Sequence, residues 1–156
     1  MIPVGGNRFD EAIINKIKKD MNFVIGEKSA EAIKKNIASA YATDAQMDIC
    51  GRNLVTGLPS EITVTGECVH EALAELFQSI VDSIKIILER TPPEISSDIY
   101  KSGLYLTGGS SRIQDLGQFI YDELGLKVNL CEEPESTVIM GLGAVIEDPQ
   151  LAKLAL

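Results

Sequence analysis

Residues 104–116 read LYLTGGSSRIQDL: a short apolar strand, a Gly108-Gly109 turn, then an amphipathic run. Adjacent glycines lack a Cβ, so the main chain can turn sharply there and a flat ligand can lie against it. A helix opening behind such a turn offers unpaired N–H groups and a partial positive charge, which suit polar or anionic ligand atoms. Arg112, one turn further on, carries a planar guanidinium able to lie over an aromatic base. The chemistry these residues suit is nucleotide binding. They fit equally an ordinary strand-to-helix turn with a surface arginine, because short glycine motifs recur by chance.

The elements that must hold this turn follow from pattern. Ile2–Val4 reads as the tail of a strand entering Gly5-Gly6. Asn7 can cap a helix with Asp10 and Glu11 in its first turn and Phe9, Ile13, Ile14 and Ile17 on its apolar face. Gly26 ends the patch Phe23–Ile25, and Ser29 can cap a second helix reaching about Ala38. Gln46–Val55 and Ile62–Thr65 read as strands joined through Thr56-Gly57-Leu58-Pro59. From Val69 to Leu88 apolar residues recur every three or four positions, predicting a long helix that Pro92-Pro93 stops. So regular a stripe fits a helix packed on its own sheet better than a filament or coiled-coil seam. Helix, strand, helix, strand and helix then follow at Glu94–Tyr100, Leu104–Thr107, Ser111–Leu124, Val128–Leu130 and Ser136–Ile146. Asp148-Pro149 interrupts the last of these. The alternation predicts an α/β lobe, with the hairpin region as a separate insert.

Composition narrows the function. A chain of 156 residues fits one domain or two small lobes and buries roughly 70% of its unfolded surface. A net charge of −9 argues against nucleic acid and against a polybasic membrane patch. No apolar run approaches the ~20 residues of a membrane span, the N-terminus lacks signal-peptide regions, and the tail Leu151–Leu156 is too short to anchor anything. Cys50, Cys68 and Cys131 read as reduced thiols of a cytoplasmic protein, without metal or disulfide spacing. The only histidine, His70, reads as a solvated helix residue, and Glu61, Glu67, Glu71 and Glu75 as a solvated acidic face.

Several segments together carry a resemblance. GGNRFDEAI, IGEKSAEAIK, GRNLVTGLP, EALAELFQSIVDSIKIILERTPPE and LTGGSS, in that order and spacing, resemble the C-terminal half of the MreB/Mbl family of bacterial actin homologues. GRNLVTGLP and LERTPPE are the distinctive pieces. More broadly the chain is similar to the actin, heat-shock chaperone and sugar-kinase superfamily, where two α/β domains close on ATP. The resemblance implies a ribonuclease H-like second domain. Its inner nucleotide-facing α/β lobe would be residues 1–6 and 78–156, with a smaller α+β outer lobe at residues 7–77.

The same resemblance assigns residues. Gly108, Gly109, Ser110 and Ser111 match the adenosine loop. Arg112 matches an arginine that stacks on adenine in the chaperone relatives, whereas most MreB proteins carry a third glycine and two apolar residues here. Glu27 matches an acid that accepts hydrogen bonds from ribose hydroxyls, a role one carboxylate can fill for both hydroxyls. As an alternative, Glu27 complements the N-terminus of its own helix. Lys28 and Ser29 border the same pocket edge. Gly5 and Gly6 match a glycine pair near the phosphates, with Asn7 replacing the acid that commonly follows.

The glycine-rich phosphate hairpins, the magnesium site and the water-orienting side chain of the family precede the point matching Ile2. Hydrolysis needs in-line water and neutralised phosphate charge. This chain alone is therefore expected to bind ATP or ADP weakly and not to turn it over, and it reads as an expressed fragment or a truncated reading frame. The implied partners are further subunits of a filament, the missing N-terminal domain and the cell-shape machinery. The whole protein would lie in the cytoplasm at the inner membrane face, with no membrane insertion by this half. A piece of a chaperone-like or sugar-kinase-like ATPase, which GGSSRI favours, and a plain protein-binding module are the other two readings.

Overall fold

A computed structural model describes residues 4–148. Ile2, Pro3, Pro149 and the tail Leu151–Leu156 lie outside the described residues, and Val4 belongs to no strand. The first helix, α1 (Gly6–Met21), buries Phe9, Ile13 and Ile17, one residue per turn. Its N-cap is Gly5 and no side chain caps it, so Asn7 lies inside the helix and Asp10 and Glu11 fall beyond its first turn. Helix α2 (Glu27–Ile37) follows the short strand β1 (Phe23–Val24) and buries Ala30, Ile33 and Ile37. Gly26 occupies its N-cap, and Ser29 stands in the first turn with its amide donating to Gly26 O at 3.1 Å. The expected polar cap is replaced by a glycine two residues earlier in α1 and three residues earlier in α2. The helices therefore start sooner than the cap pattern suggests.

Strands β2 (Gln46–Asn53) and β3 (Pro59–Thr65) form a hairpin that β1 extends into an antiparallel sheet ordered β1-β2-β3. Phe23, Val64 and Ile49 are its buried residues. Strand β2 stops at Asn53, short of Val55, because Asn53 Oδ1 accepts from the amides of Val55 at 2.8 Å and Thr56 at 3.1 Å. That local turn satisfies donors which a longer strand would have spent on the ladder.

The long helix α3 (Gly66–Glu89) is capped by Thr65, whose hydroxyl accepts from Cys68 N at 3.3 Å. Its first residue must be small: a Cβ on Gly66 would stand 2.2 Å from Thr43 Oγ1. Val69, Leu73, Phe77 and Val81 are buried, as the stripe predicts. Nearer its end the same stripe emerges into solvent, with Ile87 62% exposed. His70 is half-buried rather than solvated, its Nδ1 enclosed without a hydrogen-bond partner among the described residues. Glu61, Glu67, Glu71 and Glu75 are exposed, and Cys50, Cys68 and Cys131 are free thiols.

Helix α4 (Pro93–Ser102) starts on the second proline, whose missing N–H is no loss at a first helical position. Strands β4 (Leu104–Leu106) and β5 (Val128–Leu130) pair in parallel, linked by α5 (Leu116–Leu124), and α6 (Thr137–Glu147) closes the described chain. The predicted helix over Ser111–Leu124 is divided. Gly109–Arg112 is a separate 3-10 turn, Ile113 is extended, and Asp115 adopts a left-handed φ of 59° before α5 begins. A long-range contact causes the break: Ser39 forms a parallel bridge with Gln114, and Ala40 N donates to Gln114 O at 2.9 Å. The core runs through α1, α2 and α3 and takes in Ile113, Leu116 and Ile120.

Candidate functional site

A cleft of about 880 Å³ opens where three segments meet: the start of α1, one face of α2, and the 3-10 turn with Glu135 beside it. On α2, Glu27, Glu31, Lys34 and Lys35 lie four, three and one residue apart, so the helix pitch puts them on one side. The floor is built by Lys34, whose ammonium donates to Asp10 Oδ2 at 2.9 Å and to Gly6 O at 3.2 Å. The Lys34–Asp10 pair is largely shielded, at 13% and 15% exposure, which strengthens its electrostatics relative to a surface pair. It ties α2 to the first turns of α1. Lys35 and Glu31 form a solvent-facing pair at 2.7 Å. The Lys35 ammonium holds the Glu31 carboxyl below its ordinary range, and Glu31 in turn raises Lys35.

The opposite wall depends on glycine. Gly108 has φ 86°, a conformation L side chains rarely adopt, and a Cβ there would meet nothing within 4 Å. Gly108 N and Thr107 Oγ1 both donate to Pro134 O, at 2.7 and 2.9 Å, which fastens the loop carrying Glu135 beside the turn. Arg112 Nε lies 3.5 Å from Glu135 Oε1 with both side chains more than half exposed, so the guanidinium is held only at the rim.

Of the sequence-predicted residues, Gly6, Glu27, Lys28, Gly109, Ser110 and Arg112 line this one cleft. Gly5, Ser29, Gly108 and Ser111 are neighbours in sequence of lining residues but do not line the cleft themselves. Ser111 is buried and its hydroxyl donates to Gly108 O at 2.8 Å, so it holds the turn in shape. The α-helix that the LYLTGGSSRIQDL pattern put directly behind the glycines starts only at Leu116, after the short 3-10 turn.

Sequence reasoning missed Asp10, Glu31, Lys34, Lys35 and Glu135 as lining residues. Glu31, Lys34 and Lys35 could have been found by continuing the helical face four, seven and eight residues past Glu27. Asp10 and Glu135 carried no such signal. The lining balances Asp10, Glu27, Glu31 and Glu135 against Lys28, Lys34, Lys35 and Arg112, four charges of each sign in a chain of net charge −9. A locally neutral groove with both donors and acceptors suits a ligand bearing hydroxyls, ring nitrogens and an anionic group.

Residues 1–154 match the family model described as MreB/Mbl protein. The chain belongs to the MreB/Mbl family. Among its relatives, the cell shape-determining protein MreB of Escherichia coli K12 is 39% identical over 148 residues, which are 94% of this chain and 43% of that protein. Cell shape-determining protein Mbl of Bacillus subtilis 168 is 40% identical over 149 residues, 94% of this chain and 45% of Mbl. This MreB/Mbl chain thus spans less than half the length of these relatives. Crystal structures of MreB5 of Spiroplasma citri, bound to ADP and to AMPPNP, superpose with TM-score 0.88 at 34% identity over 92% of this chain and 44% of MreB5. The MamK double helical filament superposes with TM-score 0.72 at 23% identity, over 86% of this chain and 42% of MamK, a likeness of fold alone. The fold is accordingly that of the actin-like ATPases. Among the described residues, no helix is long and apolar enough to cross a membrane.

Proposed function

We propose that this MreB/Mbl chain supplies the sugar-and-base side of an ATP cleft in a cytoplasmic, filament-forming cell-shape protein. The observation that carries the reading is the shared groove in which α2's Glu27–Lys35 face looks onto the Gly109–Arg112 turn. The residues present fit the nucleotide. Glu27 or Glu31 can accept both hydroxyls of a ribose, since an ionised carboxylate has acceptor capacity for two donors. A base can lie on the Gly109–Ser110 main chain once the exposed Glu135 side chain, which now covers Gly109, swings aside, and the exposed Arg112 guanidinium can stack above it. Lys34 holds Gly6 and Asp10 in place below. The nucleotide itself would supply the phosphate anhydride whose hydrolysis state filaments of this kind would sense. The ADP- and AMPPNP-bound MreB5 structures support the ligand class.

In this reading residues 7–77 form the outer lobe, and 1–6 with 78–156 the inner lobe. The partners are further copies of the whole protein, its N-terminal domain and the cell-shape machinery, and magnesium and the phosphate cradle are supplied outside this chain. Titration with a fluorescent ATP should give weak, saturable binding without phosphate release. Glu27→Ala should weaken it about ten-fold, the loss of roughly one charge-assisted hydrogen bond. Robust turnover by this chain, or binding indifferent to both Glu27→Ala and Glu31→Ala, overturns the proposal.

A further inference from the structure

The two walls of the cleft are connected behind it by a small buried strap. Helix α2 runs out at Ile37 directly into Ala38, Ser39 and Ala40, all three buried. Ser39, only 1% exposed, bridges Gln114, which lies two residues after Arg112. Its hydroxyl is fully used, donating to Asp115 Oδ2 at 3.3 Å and accepting from Tyr41 N at 3.2 Å. Asp115 holds an N-cap position for α5 yet makes no capping bond. Aspartate at such a position ordinarily accepts from its own helix. Here the left-handed backbone turns the carboxylate toward Ser39 instead.

Beyond the strap, the Tyr41 hydroxyl donates to Asp122, and the Tyr41 ring meets Phe119 edge-on at 6.0 Å. Phe119 packs on Phe77 at 6.2 Å and Phe77 on Phe9 at 5.7 Å, carrying the contact into α1, whose start forms the remaining wall. All the segments that line the cleft are therefore joined through this strap and its row of rings.

We infer that Ser39 and Asp115 are positioning residues that set the width of the cleft, holding the Glu27–Lys35 face at a fixed separation from the Gly109–Arg112 turn. The role in ligand binding rests on the nucleotide reading above, but the width itself can be measured without any nucleotide. Neither residue lines the cleft. Each acts by fixing the segment beside it: Ser39 the end of α2, Asp115 the exit of the 3-10 turn. Interdigitated cores shift between discrete arrangements rather than deforming smoothly, so loss of the strap should free one wall relative to the other.

The test is a pulsed electron-spin distance measurement on the full chain. Spin labels go on Lys28→Cys in α2 and Glu132→Cys in the loop beside the turn, with Cys50, Cys68 and Cys131 replaced by serine. The parent and Asp115→Asn should each give one narrow distance, because asparagine tolerates the left-handed region and keeps an acceptor for Ser39. Asp115→Gly relieves the backbone while removing the carboxylate, and Ser39→Ala removes the hydroxyl. Both should broaden the distance distribution about two-fold. A purely structural contact would lower the melting temperature and leave the distribution narrow. Unchanged widths in Asp115→Gly and Ser39→Ala overturn the inference, and if Ser39→Ala fails to fold, Asp115→Gly alone decides. An unlabelled parent with no affinity for ADP contradicts the proposed function, while a narrow distance in the labelled chain that broadens in the two variants leaves the strap standing.

Discussion

The part of the molecule built on α1–α3 and the three-stranded sheet encloses a full set of large apolar side chains, leaving Val55 and Ile87 outside, whereas β4, β5, α4 and α6 fully bury none. In the first, Phe9, Phe23, Ile33, Leu73 and Phe77 are all at most 1% exposed. In the second, α4 and α6 bury no residue, and Tyr105, Val138, Ile139 and Ile146 are 69%, 70%, 71% and 82% exposed. Ile113 and the α5 residues Leu116 and Ile120 root that second part in the common core, with Leu104, Leu106 and Val128 of the two strands packed against it. Parallel strands are normally covered on both faces, and a two-stranded sheet has little stability by itself. An open groove of about 450 Å³ between α5 and β5, lined by Leu116, Val128 and Leu130, belongs to the same loosely covered region. The comparison teaches where the cleft gets its rigidity. Its α1 and α2 walls stand on that core, while the glycine-turn wall follows a sheet with two strands among the described residues and is tied to the end of α2 by the Ser39–Gln114 bridge.

Truncations should separate the two regions most sharply. Phe77→Ala should cost about 3–5 kcal/mol, because it opens a cavity between Phe9 and Phe119 where rings now meet. Ile146→Ser, at the exposed α6, should change stability by less than about 0.5 kcal/mol. Denaturant unfolding of the two variants checks both figures, and equal losses would erase the distinction.

A smaller effect should appear at alkaline pH. The hydrogen bond to Asp122, helped by desolvation, pushes the Tyr41 phenol from its ordinary 10.0 up to about 12. The protonated phenol is therefore favoured in the folded state. Its contribution is fully present below pH 10.0 and is lost as pH rises toward about 12. Thermal melts of the parent and Tyr41→Phe should differ at neutral pH and converge above that window. A constant difference across it would deny the bond between strap and α5.

What was legible in the sequence was local. The long α3 was readable because Val69, Leu73, Phe77 and Val81 repeat at the helical period, and Pro92-Pro93 marks its end by lacking donors. Glu27 and the Gly108-Gly109 turn were readable because motif and chemistry agree. The break between the 3-10 turn and α5 was not, since Ser39 and Asp115 are separated by 76 residues and no periodicity announces a bridge of a single residue pair. Lys34 was hidden for a similar reason. On the helix it reads as one of several solvated lysines, and only its pairing with Asp10, 24 residues upstream, makes it the floor of the cleft.

The most direct measurement is an amide chemical-shift titration of this chain with ADP. The account predicts that resonances of residues 27–35 and 109–112 move together with one common affinity, reporting a single ligand between two walls. Shifts confined to the groove of Leu116, Val128 and Leu130, or to only one of the two walls, would contradict it.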